Sequence, residues 1–265
     1  MKHISILVPY EAAMPSIVDP RTMFTGVNDF LEAAGKPPVF KVQLVGLTKM
    51  VQFNNGLYSV RADILLADLK KTDLLIIPAL AGDLKSTVKK NKDFIPWIVN
   101  QYNKGAEVAS LCIGAFLLAS TGLLNGKECS SHWLTANQFR EMFPEVNLVD
   151  GRIVTEQQGL YSSGGATSYW NLLLLLVEKY AGREMAITAS KVFALEIDRK
   201  SQSPFAMFNG QKKHEDEPIK QAQEFIENNI TEKILVEAFR TVFKKITGLS
   251  LINYRNKYNK EAAVA

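Results

Sequence analysis

VASLCIGAFLLASTGLL, Val108 to Leu124, holds the key to the chain. A β-leaning piece, VASL, runs directly into Cys112, and an apolar pattern of helical spacing follows without a loop. This is the corner of an α/β unit, with a thiol placed on it. In an open α/β sheet, ligands bind beyond the carboxyl ends of the strands, which is where this corner lies. The start of a helix favours an anion and lowers a thiol pKa. Gly114, two residues on, permits close backbone approach. The arrangement is that of a nucleophile elbow. Three readings are open: a nucleophile, an inert core thiol (free Cys is among the most buried residue types), or a ligand pocket inherited from an enzyme.

The same alternation extends outward from the corner. HISILVP (His3–Pro9) and the run Leu74–Ile77, closed by Pro78, are apolar enough to be strands covered on both faces. PPVFKVQLVGL gives a further strand, and Asn55-Gly56 a turn between short strand pieces. DPRTMFTGVNDFLEAAG reads as a helix with Asp19 at its cap, Pro20 in its first position and Gly35 past its end. Helices are predicted over NKDFIPWIVNQYNKG, CIGAFLLASTGLL, SHWLTANQFREMFP, ATSYWNLLLLLVEKYAG and REMAITASKVFALEI, and two short strands over RIVTEQQGLYSSGG. The fold class is therefore α/β, a doubly wound, mostly parallel sheet. From residue 198 to 218 the chain turns polar, with two prolines and a charge cluster, and reads as a linker. The predicted organisation is a large domain over 1–197, this linker, and a small all-helical segment over 219–265.

Bulk properties exclude several classes. Of the 265 residues, 47% are hydrophobic, so a sizeable core replaces disorder. A net charge of +4 is too mild to imply nucleic acid by itself. Two cysteines, Cys112 and Cys129, make no disulfide framework and no zinc spacing. No metal or cofactor is expected. The apolar N-terminal run lacks the length of a signal-peptide core, and YWNLLLLLVEKY falls short of the ~20 apolar residues that span a bilayer. A cytoplasmic location without membrane contact is expected.

His132, in CSSHWLTA, is the residue type that serves a thiolate as base, although a lone His beside Trp is more often structural. Cys129 reads as a small strand residue. Taken in order, HISILVP, the PALAG turn after LLIIP, VASLCIGAFLLASTGLLNGKECSSHW and GLYSSGGATSYWNLLLLLVEKY closely resemble the ThiJ/PfpI superfamily, relatives of the class I glutamine amidotransferases with a flavodoxin-like sheet. The resemblance covers residues 3 to 185. It implies a nucleophile at Cys112, a histidine near it at His132, and an oxyanion-type amide site near Gly82 and Ile113. It also implies an acidic side chain after the first strand, and the count along ILVPYEAAMPSIVDP puts Ser16 there, with Glu11 and Asp19 out of register. A hydroxyl is no general base at neutral pH. The set Ser16, Gly82, Cys112, Ile113 and His132 thus reads as a ligand-binding pocket around a catalytic relic.

Charge changes sign within the tail. Gln211–Glu237 holds four Lys against seven Asp or Glu, whereas Ala238–Lys260 holds Arg240, Lys244, Lys245, Arg255, Lys257 and Lys260 and no acid. Aromatic residues are interleaved with these cations, a composition suited to phosphate contacts plus packing, although a solvated basic helix end has the same composition. FRTVFKKITGLSLINYRNKY resembles the second helix-turn-helix of AraC-type transcription regulators, with Phe243, Lys244, Lys245, Thr247, Gly248, Ser250, Tyr254 and Arg255 in place. Arg240, Lys244, Lys245 and Arg255 are the implied DNA contacts. The rest of the first helix-turn-helix unit has no room between Val236 and Phe239, so the DNA-binding domain reads as partial. The expected partners are DNA, a small-molecule effector and a second copy of the chain. The alternatives are a thiol-dependent amidase- or hydratase-like enzyme using Cys112, and a redox-responsive binding protein in which Cys112 is oxidised.

Overall fold

The computed structural model describes residues 1–149, 151–197, 199, 201–202, 217, 220–221 and 236–258. The chain divides into two compact units, Met1–Ala206 and Met207–Ala265.

In the first unit, β1 (Lys2–Val8) leads to α1 (Pro15–Ala33) and β2 (Phe40–Gly46). The hairpin of β3 (Met50–Phe53) and β4 (Tyr58–Arg61) turns through Asn54, Asn55 and Gly56, all at positive φ. Then come β5 (Ile64–Leu65), β6 (Leu74–Ile77), α2 (Leu84–Lys90), α3 (Ile95–Asn103), β7 (Glu107–Ser110) and α4 (Ala115–Ala119). The remainder runs β8 (Glu128–Cys129), α5 (Ala136–Met142), β9 (Asn147–Leu148), β10 (Val154–Gln157), β11 (Leu160–Ser163), α6 (Tyr169–Ala181) and α7 (Arg183–Val192).

The main sheet has the order β10-β11-β7-β6-β1-β2-β5, and only the β10–β11 pair is antiparallel. Alternation along the strands divides the core. Ile4, Ile6 and Val8 of β1, with Leu74 and Ile76 of β6, join α1, α6 and α7 on one face. Leu7, Leu75 and Ile77 join α4, α5 and Phe94 on the other. Because both faces are covered, β6 is apolar throughout and β1 is apolar from Ile4 onward apart from the buried Ser5. Each such side chain, fully buried, contributes roughly 1.5–3 kcal/mol.

The structure corrects several predicted element ends. α1 begins at Pro15, so Pro20 lies inside the helix and Asp19 is not its cap. Pro15 already takes the first-turn position that suits proline. The helix after Cys112 is short, a 3-10 turn over Cys112–Gly114 followed by α4. Ser120 Oγ and Thr121 Oγ1 donate to the carbonyls of Leu117 and Leu118, and Gly122 at φ 76° turns the chain away. α7 stops before the predicted ALEI, because Ala194 at φ 53° reverses the chain and Leu195 N–H closes back onto Ser190 O.

The stretch read as a linker opens with residues woven into the first unit. Ser201 bridges Arg152, Gln202 is 2% exposed, and Arg199 donates to Ser168 Oγ. Residues 203–216 lie outside the described residues.

In the second unit, α8 (Val236–Thr247) and α9 (Leu251–Tyr258) are joined by a tight turn. Gly248 at φ 70° closes the first helix, and Ser250 Oγ accepts from Asn253 N–H at the start of the next. Phe243 and Tyr254 are buried edge to face with ring centroids 5.3 Å apart. The predicted helical opening of this segment, residues 219 and 222–235, and its last residues, 259–265, lie outside the described residues.

Candidate functional site

Cys112 stands where β7 ends, 6% exposed and at φ 52°. Only glycine adopts such a φ at low cost; for another residue it costs about 1–3 kcal/mol. Its surroundings hold it there. Leu111 N–H binds Ile77 O, Cys112 N–H donates to Ser163 Oγ at 3.1 Å, and Ser131 Oγ donates to Cys112 O at 3.3 Å. A Cβ on Gly114 would sit 2.5 Å from Pro78 O and 2.7 Å from Ile77 O, so glycine is required for the end of β6 to lie against the elbow.

Burial pushes the Cys112 thiol above its ordinary pKa. The amides of Ala166 and Ile113 hydrogen-bond the sulfur and pull the other way, but burial dominates. The expected lowering by a helix start is therefore overturned: the segment that follows is a 3-10 turn and one short helix, too little dipole to offset desolvation.

His132 is half-buried on the next loop, and desolvation lowers its pKa. Its Nδ1 accepts the Leu134 N–H at 3.1 Å, which leaves the proton on Nε2. The ring lies on Gly165, where a Cβ would be 2.2 Å from His132 Cδ2. Among the described hydrogen bonds, none joins the imidazole to the Cys112 sulfur.

Ser16 is buried, but its hydroxyl is engaged by backbone. It donates to Ala13 O at 2.6 Å and accepts from Ala79 N–H at 2.9 Å, binding the start of α1 to the turn after β6. Gly82 adopts φ 75° just before Asp83, whose carboxylate caps α2 through Ser86 N–H. The amides that serve the sulfur are those of Ile113 and Ala166, and no described hydrogen bond brings Gly82 to it. Glu11 pairs with Lys90 at 2.9 Å. Cys129 is fully buried, its thiol pushed up to about 12, and is core.

A further pair near the thiol escaped the sequence reading. Tyr169, at the start of α6, donates its hydroxyl to Asp19 Oδ2 at 2.6 Å. Its own pKa is raised, first by burial, then by Asp19, then by the charge of a Cys112 thiolate, which places the phenol in the electrostatic reach of the sulfur. Asp19 and Tyr169 stand 150 positions apart, so no local pattern pairs them.

In the second unit, Arg240, Lys244 and Lys245 are exposed on α8 and line, with Thr241, an open recess of about 480 Å³. Arg255 belongs to α9, its side chain outside the described residues. Among the described residues, no group of three or more His, Cys, Asp or Glu is placed to hold a metal, and no helix is long and apolar enough to cross a membrane.

An elbow cysteine at positive φ, carried at the carboxyl end of a doubly wound sheet, defines a DJ-1/PfpI-type protein. The DJ-1/PfpI family matches residues 24–179, more than half of the chain, and the chain belongs to it. The HTH-type transcriptional regulator GbdR of Pseudomonas aeruginosa is 28% identical over 130 residues, 49% of this chain and 34% of that protein. The isonitrile hydratase of Pseudomonas putida is 24% identical over 140 residues, 52% of this chain and 57% of the enzyme. The chain thus spans about a third of the regulator's length and just over half of the enzyme's. The crystal structure of an AraC family transcriptional regulator from Pseudomonas putida shares the fold, with a TM-score of 0.60 and 20% identity over 73% of this chain and all of that one.

Proposed function

We propose that the protein is a DNA-binding transcription regulator of the AraC type. Its DJ-1/PfpI unit (1–197) binds a small effector at the Cys112 pocket and dimerises in the cytoplasm. Its 219–265 segment retains part of a helix-turn-helix domain. The observation that carries this is the conjunction, in one chain, of DJ-1/PfpI membership with a separate helix pair presenting Arg240, Lys244 and Lys245 to solvent. The state of the thiol supports a binding role. Its pKa is raised, the histidine's Nδ1 is taken by a backbone amide, and Ser16 stands at the acid's position with its hydroxyl engaged by backbone.

Fluorescence anisotropy of the full chain on labelled duplexes from its own upstream region tests the proposal. Log affinity should fall linearly with log salt, and replacing Lys244 and Lys245 together by Ala should flatten the slope by about 2, one phosphate contact each. A regulator reading two half-sites also sediments as a dimer. No binding at low salt by a demonstrated dimer refutes the proposal.

The strained φ of Cys112 favours a second function, thiol-dependent hydration or amide hydrolysis. On an amide, the Cys112 sulfur would attack the carbonyl carbon with the Ile113 amide supporting the oxyanion, the thiol proton would leave with the amine, and water would hydrolyse the thioester to acid and free thiol. Turnover of isonitriles or amides that disappears in Cys112→Ser would establish it, and an unreactive thiol would exclude it.

A further inference from the structure

Gln202 is spent inside the first unit. Its Oε1 accepts the Gly165 N–H at 2.8 Å, and its Nε2 donates to Ser131 O at 2.9 Å and to Arg152 O at 3.3 Å. Its own N–H donates to Gly151 O at 3.1 Å. Gly164 makes room for the head group: a Cβ there would lie 2.8 Å from Cδ, Nε2 and Oε1 alike. Among the described residues, the slot therefore offers one N–H donor and two carbonyl acceptors. Its complement is a primary carboxamide, with one acceptor oxygen and an NH₂ that gives two hydrogens. A carboxylate fits poorly, having no hydrogen for either carbonyl and bringing a charge into a buried space.

The walls of this slot are the loops that frame the thiol. Ser131 precedes His132, and its hydroxyl holds the Cys112 carbonyl. Gly165 lies against the His132 ring and precedes Ala166, whose amide serves the sulfur. Arg199 clasps the same turn through Ser168 Oγ at 2.8 Å. Along the chain, the strap residues Arg199, Ser201 and Gln202 are the last described ones before the boundary between the units at Ala206.

We propose that this slot is a recognition site for small primary carboxamides, which Gln202 fills as an internal stand-in. A ligand carboxamide entering it displaces Gln202 and releases the strap from the loops around Cys112. The slot stands without the regulator function.

Amide hydrogen exchange at Gly165, followed by NMR in the full chain, tests the proposal with acetamide and acetate as probes. The Gly165 amide should be protected in the wild type. Gln202→Ala should accelerate its exchange by about tenfold or more, as the loss of a buried hydrogen bond implies. Acetamide should restore protection in that variant where equal acetate does not; in the wild type, where Gly165 is already protected, acetamide should instead shift the Gln202 side-chain NH₂ resonances, at higher concentration because Gln202 competes. Gln202→Glu gives an independent readout. Its protonated acid still donates one hydrogen and accepts one, whereas its carboxylate cannot donate. The carboxylate keeps the Gly165 N–H but gives Ser131 O and Arg152 O no hydrogen, so the melting temperature of Gln202→Glu relative to the wild type should fall as pH climbs through the carboxyl range.

Unchanged exchange in a folded Gln202→Ala protein, equal effects of acetate and acetamide, or a flat pH response in Gln202→Glu would overturn the proposal. Should Gln202→Ala fail to fold, the Glu variant and the wild-type acetamide titration decide alone. DNA binding read on the same samples separates the two proposals: a working slot without DNA binding removes the regulator, and DNA binding without a working slot removes this site.

Discussion

The same substitution, Gly→Ala, should have opposite effects at two places in the first unit. At Gly114 the new methyl would lie 2.5 Å from Pro78 O and 2.7 Å from Ile77 O. An ordinary carbon–oxygen contact is about 3.3 Å, so β6 and the elbow must separate by roughly 0.8 Å. Both colliding atoms are backbone, and Ile77 O already accepts Leu111 N–H, so relief strains a bond that holds the Cys112 turn. Overpacking costs about 1–3 kcal/mol, and weakening one buried hydrogen bond adds about 1 kcal/mol. Against this stands about 0.4–1 kcal/mol from the stiffer unfolded chain. The balance is a destabilisation of about 1–3.5 kcal/mol. At Gly26, inside α1, a methyl meets only Phe193 Cζ at 3.7 Å, so helix propensity should prevail and stabilise by about 0.5–1 kcal/mol. Urea titration monitored by circular dichroism reads both. With ~2–4 °C of Tm per kcal/mol in a domain of this size, Gly114→Ala should melt roughly 2–14 °C low and Gly26→Ala a few degrees high. A neutral Gly114→Ala would refute the claim that close strand contact fixes the elbow.

Alkaline stability should decline. Cys129 is pushed from 9.0 to about 12 and Cys112 is also raised, both by burial. A raised folded pKa means full stability below the unfolded value and loss as pH rises toward the folded one. Melting temperature should fall from about pH 9 upward, less steeply in Cys112→Ala, and a flat profile would contradict the burial of both thiols. Tyr169→Phe removes the donor to Asp19 and should cost about 1–2 kcal/mol by urea titration; a loss shared equally by Asp19→Asn would mark the two as one unit, and no loss in either would dismiss the pair.

The strands were legible because each of them solves its burial problem locally: an unbroken run such as LLII needs only covered faces, whatever covers them. Cys112 as an elbow was legible for the same reason, since strand, thiol, Gly and helix are contiguous. Helix ends were less so. Ser120 and Thr121 have ordinary helical neighbours, yet their hydroxyls take the last carbonyls and end α4 early. The Asp19–Tyr169 pair was hidden by distance along the chain, and Pro20 drew the cap to the wrong turn. Gln202 was hidden by composition, because a polar stretch with Pro and Lys reads as solvated whether its partners are water or buried backbone. Ser16 was found by counting, but its hydroxyl is used to join two backbone segments, a role that a count along the chain does not reveal.

Hydroxyls hold the backbone of the elbow. Ser163 receives the Cys112 amide, Ser131 holds the Cys112 carbonyl, Ser162 receives the Ser130 amide, and Thr155 and Ser162 are hydrogen-bonded to each other. An alcohol can exchange giving for receiving by spinning its hydrogen, with no heavy atom displaced. At the elbow that freedom is spent: the Cys112 amide and carbonyl fix the sense of Ser163 and Ser131, and of these contacts only Thr155–Ser162 can reverse in place.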